Sequence, residues 1–124
     1  MLKGSYRLKK NKEFRYIYST GQSVAAKGAV LYFNKRDDEE RKIGFSVSKK
    51  IGKAHTRNFV KRRMRACMAN YINHISPGTN LIFSARKPMV DFSYSRIESE
   101  MKYLLKKSGV WNEVTGETNI TGND

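Results

Sequence analysis

An α+β fold is predicted: a mixed four-stranded sheet with helices packed against it. Three observations lead there. Apolar residues recur at helical spacing in three segments. Short apolar or alternating runs of strand length lie between those segments. Turn residues separate the two kinds. The order is one helix, three strands, a helix, a strand and a last helix. Helices segregated to one face of such a sheet give an α+β sandwich. The 124 residues fit one domain with one modest core. That domain is expected over residues 1–111, with a flexible polar tail over 112–124.

Residues 1–10 read as a basic lead-in. A short helix follows from Asn11 to Thr20, with Asn11 as its cap and Gly21 as its stop. Phe14, Ile17 and Tyr18 line up on it at helical spacing. Ile17 reads as core. Phe14 and Tyr18 read either as core or as flat platforms for bases. Residues 23–35 hold a first strand near Ser23 and Val24, then one centred on Ala29 to Phe33. In the latter, Val30 and Tyr32 face one way, Leu31 and Phe33 the other.

The acidic stretch KRDDEERK, residues 35–42, reads as a hairpin turn rather than a metal site. Adjacent carboxylates on a turn do not converge, and flanking bases neutralise them. Ile43 to Ser48 is then the partner strand, with Gly44 marking a close approach. A central helix is expected from Thr56 to Ile75, ended by Pro77 and Gly78. Asn80 to Ala85 reads as a buried strand. A strand, helix, strand order implies a crossover and a parallel pair; its usual hand is right-handed. The last helix spans Ser93 to Ser108, with Ser95 and Glu98 as a capping box. Tyr94, Ile97, Met101, Leu104 and Leu105 form its core stripe, and Gly109 is its stop.

Charge dominates the composition. There are 25 Lys and Arg against 11 Asp and Glu, a net charge of +14. Ten of the basic residues fall between Arg41 and Arg65, with no Asp or Glu among them. At about 100° per residue, Arg57, Asn58, Lys61, Arg62 and Arg65 share a sector of roughly 140° on the central helix. Val60, Met64, Cys67 and Tyr71 share the neighbouring sector. One side can therefore pack while the other presents a row of cations. Lys49, Lys50 and Lys53 extend that row into a patch suited to phosphates. A solvated helix face would interleave signs, and this one does not.

Catalysis by the polypeptide is poorly supported. His55 and His74 lie about 28 Å apart if one helix carries both. No P-loop, zinc spacing or Ser/His/Asp arrangement is present. Carboxylates for a two-metal nuclease are missing from the basic block. The single cysteine, Cys67, has no disulfide partner within the chain and reads as a small buried hydrophobe. The N-terminal stretch lacks the apolar core of a signal peptide, and no stretch reaches membrane-spanning length. A cytoplasmic protein with no membrane partner is expected.

The block FSVSKKIGKAHTRNFVKRRMR resembles the signature region of the bacterial ribonuclease P protein component. Its Ser-Lys-Lys-(aliphatic)-Gly loop is matched by Ser48, Lys49, Lys50, Ile51 and Gly52. Its Arg-Asn-x-x-Lys-Arg helix is matched by Arg57, Asn58, Lys61 and Arg62. Arg7-Leu8 with Asn11 to Phe14 resembles the family's N-terminal segment, and Ala85-Arg86-Lys87-Pro88 the end of its last strand. The likeness covers roughly residues 5–108. It departs at Phe59, where the family often has Arg; that ring is expected either to pack against a neighbour or to stack in place of a cation.

The resemblance implies an αβββαβα sandwich, ribosomal protein S5 domain 2-like, with an unusual left-handed crossover. It implies a partner, the catalytic RNA subunit, which with its Mg²⁺ performs the chemistry. The basic loop and helix would face that RNA. It also implies a cleft for the 5′ leader of precursor tRNA, matched by Phe14, Tyr18 and Tyr32. The activity implied is removal of that leader in tRNA maturation. Two other readings stay open: a ribosomal or ribosome-assembly RNA-binding protein, indifferent to leader length, and a stand-alone nuclease.

Overall fold

The computed structural model describes residues 2–113. The elements run α1 (Asn11–Thr20), β1 (Gln22–Ala25), β2 (Ala29–Lys35), β3 (Arg41–Ser46), α2 (Ala54–Tyr71), β4 (Thr79–Ala85) and α3 (Tyr94–Ser108), with short 3₁₀ turns between several of them. The sheet order is β1-β2-β4-β3. β1 with β2 and β2 with β4 are antiparallel, whereas β3 and β4 are parallel, joined through α2 as the crossover rule requires.

The acidic stretch is a turn, but it does not close a hairpin. β4 inserts between β2 and β3, so the two strands flanking the turn never pair. The turn instead wraps the start of β4. Arg36 N–H donates to the Gly78 carbonyl at 2.8 Å, and Gly78 and Thr79 N–H donate to the Glu40 carbonyl at 2.9 and 3.1 Å. Asp38 grips the Arg36 guanidinium with both oxygens, each at 2.8 Å, and accepts from Glu40 N–H at 2.9 Å. Those bonds hold its carboxyl down at about 2, the Arg36 hydrogen bond contributing most.

Helices cover both faces of the sheet, not one. Leu31, Ile43, Leu81 and Phe83 point to α2 and α3 and join Val60, Met64, Met68, Ile97, Met101, Leu104 and Leu105 in the main core. Tyr32 and Ile82 point the opposite way, where Leu8, Ile17 and Phe14 make a second, smaller cluster under α1. Alternation along β2 predicts two faces; it does not say which helix takes which. Gly44 makes the second cluster possible. A Cβ there would lie 2.6 Å from Phe14 Cζ and 3.2 Å from Leu8 Cδ2.

Several local signals resolve differently from the sequence expectation. Asn11 is the first residue of α1, not its cap; Glu13 instead reaches back to accept from Lys10 N–H at 3.2 Å. Gly21 ends the helix with φ −86°, so the left-handed stop does not apply. Glycine fits because a Cβ would meet the Ile17 and Phe33 carbonyl oxygens at 2.7 and 2.8 Å. Ser93, not Ser95, caps α3, accepting from Arg96 N–H at 3.1 Å. Tyr94 is 36% exposed and leaves the core stripe to its four aliphatic and Met neighbours. Gly109 does adopt the left-handed conformation, φ +84°.

The chain end is tied back. Trp111 bridges to Ile75, stacks on His74 at 4.4 Å, and Asn112 N–H donates to the His74 carbonyl. Of the predicted tail, Glu113 also pairs with Lys106 at 3.1 Å. Residues 114–124 lie outside the described residues.

Candidate nucleic-acid interface

After β3 the chain makes a 3₁₀ turn, Lys49–Ile51, whose Ile51 plugs into the protein while Lys49 and Lys50 stay exposed. Arg57 Nη1 donates to the Gly52 carbonyl at 3.0 Å and so ties this loop to the first turn of α2. That first turn carries no acid. The positive end of the helix dipole and Lys53 therefore add to one another.

Further along α2, Val60, Met64 and Cys67 are buried, and Asn58 and Arg62 are exposed on the far side. Among the described residues, ion pairs join Arg36 to Asp38, Lys42 to Glu40 and Lys106 to Glu113. None involves Lys49, Lys50, Lys53, Arg57, Lys61, Arg62 or Arg65. Within the described residues, the cations that the spacing groups on one sector of α2 have no carboxylate partner.

Arg65 sits at the lower edge of this row and is partly buried. Its Nε has no hydrogen-bond partner. Burial lowers its pKa, with the charges of Arg7 and Arg62 acting in the same direction. Three guanidinium groups close enough to repel, without a carboxylate between them, favour an anion.

Lys61 turns toward α1. It shares an open trough of about 460 Å³ with Asn11, Phe14, Arg15 and Tyr18 from α1 and with Phe45, Ser46 and Val47 at the end of β3. Of the three predicted cleft residues, Phe14 and Tyr18 line this trough, and Tyr32 lies behind Tyr18. The Phe14 and Tyr18 rings are 6.4 Å apart, and Tyr18 meets Tyr32 edge-on at 4.8 Å. Tyr18 is 38% exposed and its hydroxyl is 3.2 Å from Ser84 Oγ, which fixes the ring. Tyr32 supports that ring from below and does not line the trough. A larger cavity, about 700 Å³, lies elsewhere, lined in part by Asp37, Asp38 and Glu39. Its carboxylates make it the poorer place for a polyanion.

Arg15, Phe45 and Val47 were not singled out by the sequence. Arg15 follows Phe14 by one helical step, which is the signal that was available. Phe45 and Val47 read only as strand residues, because their place in the trough depends on α1 crossing over the end of β3. Phe59 is 44% exposed, and the Arg63 guanidinium lies over its ring at 4.9 Å.

Fold and charge together define a class: a small basic α+β domain of the kind that binds nucleic acid through cations and stacking rings. The particular family follows from comparison. The model of the family Ribonuclease P matches residues 2–109. The chain is 38% identical over 109 residues to the ribonuclease P protein component of Geobacillus kaustophilus, covering 87% of this chain and 90% of that one. Its fold matches the ribonuclease P protein of Staphylococcus aureus with a TM-score of 0.80 at 36% identity, over 86% of this chain and 98% of that one. A mutant of the S. aureus protein with defective mRNA degradation activity matches with the same TM-score at 34% identity, over 86% of this chain and 90% of that one. The chain belongs to the ribonuclease P protein family.

Proposed function

We propose that the chain is the protein subunit of a ribonuclease P holoenzyme and has two RNA contacts. The loop and helix row, Lys49, Lys50, Lys53, Arg57, Asn58, Lys61, Arg62 and Arg65, binds the catalytic RNA. The trough beside Phe14 and Tyr18, with Tyr32 behind them, takes the single-stranded 5′ leader of precursor tRNA. One observation carries the reading: a row of cations without carboxylate partners among the described residues reaches the ring-lined trough through Lys61, which belongs to both.

The physical task is electrostatic and positional. Substrate and catalytic RNA are both polyanions and repel. Cations held between them lower that repulsion. Rings in the trough add stacking that mature tRNA, lacking a leader, cannot use. Precursor is then preferred over product by differential binding. Five phosphates neutralised by the row give a single-strand salt slope of about −3 to −4.

Among the described residues, no group of three His, Cys, Asp or Glu converges to hold a metal ion. We assign the Mg²⁺ of the reaction to the RNA subunit because the family resemblance implies it, and no step is routed through the protein. No helix among the described residues is long and apolar enough to cross a membrane.

A second reading, RNA cleavage by the polypeptide itself, is raised by the mRNA degradation activity named for the S. aureus relative. Reconstitution separates the two. Precursor tRNA is incubated at low Mg²⁺ with RNA subunit, with protein, or with both. The expected result is mature 5′ ends with both and none with protein alone. Cleavage at the mature 5′ end by protein alone would overturn the assignment of roles. Failure of the protein to stimulate the RNA subunit would overturn the function.

A further inference from the structure

On its exposed side, α2 carries a feature that neither the cation row nor the trough uses. Phe59 and Tyr94, 44% and 36% exposed, come from different helices and meet around one guanidinium. Arg63 lies 4.9 Å from the Phe59 ring centre and 5.8 Å from that of Tyr94. Its Nη1 donates to the Phe92 carbonyl at 3.0 Å, which holds the group in place. The neighbouring Arg96 lies over the Phe92 ring at 4.2 Å. Neither arginine has a carboxylate partner among the described residues. Phe59 lies one helical turn from Arg62 and Arg63, at i+3 and i+4, so the patch borders the sector that carries the cation row.

We infer that Phe59, Arg63 and Tyr94 form a stacking site for an unpaired base of the RNA subunit, with Arg62 and Arg63 beside its phosphates. The inference rests on the function proposed above. Exposed rings set in a field of unpaired cations suit a nucleotide, which offers a flat face and an anion together. A protein partner would need carboxylates placed against the same arginines. A second copy of this chain, with net charge +14, would bring like charge to the patch.

The test is the dissociation constant for the RNA subunit, measured over a range of salt for the full chain and for Phe59→Leu, Phe59→Trp, Tyr94→Leu and Lys61→Ala. Phe59 is exposed, so its variants should fold; circular dichroism checks this. Losing one stacked base weakens binding by roughly 5- to 150-fold. Phe59→Leu is expected in that range with the salt slope unchanged, because stacking releases no counterion. Phe59→Trp should keep the affinity, and Lys61→Ala should flatten the slope. Wild-type affinity in Phe59→Leu, with Lys61→Ala still impaired, overturns the stacking site and leaves the proposed function standing. If no variant changes affinity or slope, the proposed function itself fails. Reduced self-association in Phe59→Leu without loss of RNA affinity would make the patch an interface between copies and also overturn the inference.

Discussion

Gly44→Ala should damage the trough while leaving the cation row intact. The added methyl carbon would stand 2.6 and 2.8 Å from Phe14 Cζ and Cε2 and 3.2 Å from Leu8 Cδ2. Carbon atoms rest at about 3.5–4.0 Å, so the Phe14 ring must retreat by about 1 Å. It can retreat only away from the sheet, taking α1 with it or tilting toward the trough that it lines. Overpacking of this kind costs about 1–3 kcal/mol. A ring that can pivot places the value in the lower half of that range. For a domain of this size, 1 kcal/mol shifts the melting temperature by about 4 °C. Thermal unfolding followed by circular dichroism reads the first effect. Binding of precursor against mature tRNA by the reconstituted enzyme reads the second. The variant should melt several degrees lower and lose most of its preference for precursor, yet bind the RNA subunit normally. An unchanged melting temperature with unchanged preference would refute the claim that Gly44 seats Phe14 at the leader site.

Three other outcomes are expected. Lys61→Ala combined with Arg62→Ala should make the salt dependence of RNA-subunit binding shallower by about 1–1.5, at about 0.7 per single-strand phosphate contact; an unchanged slope would place both side chains off the interface. Cys67 is buried and its thiol pKa is raised, burial being the main cause. It should resist alkylation at neutral pH in the native protein and react once denaturant unfolds it; rapid native-state labelling would contradict the packing of α2. The Asp38 carboxyl is lowered from 3.8 to about 2 in the folded protein. A depressed carboxylate contributes stability that is complete above its unfolded pKa and lost as pH falls through its folded value. Acid titration of stability should therefore show Asp38→Asn losing part of the pH dependence between those two values; identical acid profiles would dismiss the Arg36 clamp.

What the sequence made legible was what depends on local chemistry. The grouping of cations on one sector of α2 follows from helical spacing and from the missing acids, and among the described residues those cations have no carboxylate partner. Gly44 and Gly109 were readable as a close approach and a stop. The parallel β3–β4 pair followed from the strand, helix, strand order through α2. What stayed hidden depends on choices among distant elements. KRDDEERK spells a turn, but only β4 sliding between β2 and β3 prevents a hairpin, and no residue in the turn records that. Phe14 and Tyr18 were ambiguous because α1 could in principle have joined α2 and α3. With α1 on the other face, Ile17 takes the buried position and Tyr18 is left at the rim. Tyr94 sits at core spacing on α3, but it is the helix's first residue: its hydroxyl reaches the buried Cys67 while its ring stays 36% exposed beside Arg63.

The most direct measurement is a leader-length series. Precursor tRNAs with no leader, then one nucleotide and several, are titrated with holoenzyme reconstituted from this chain, and again with a Tyr18→Ala chain. The account predicts affinity that climbs over the first several leader nucleotides for the natural chain and climbs much less for Tyr18→Ala. Equal affinity at every leader length would contradict it, because the trough between α1 and α2 would then hold no part of the substrate.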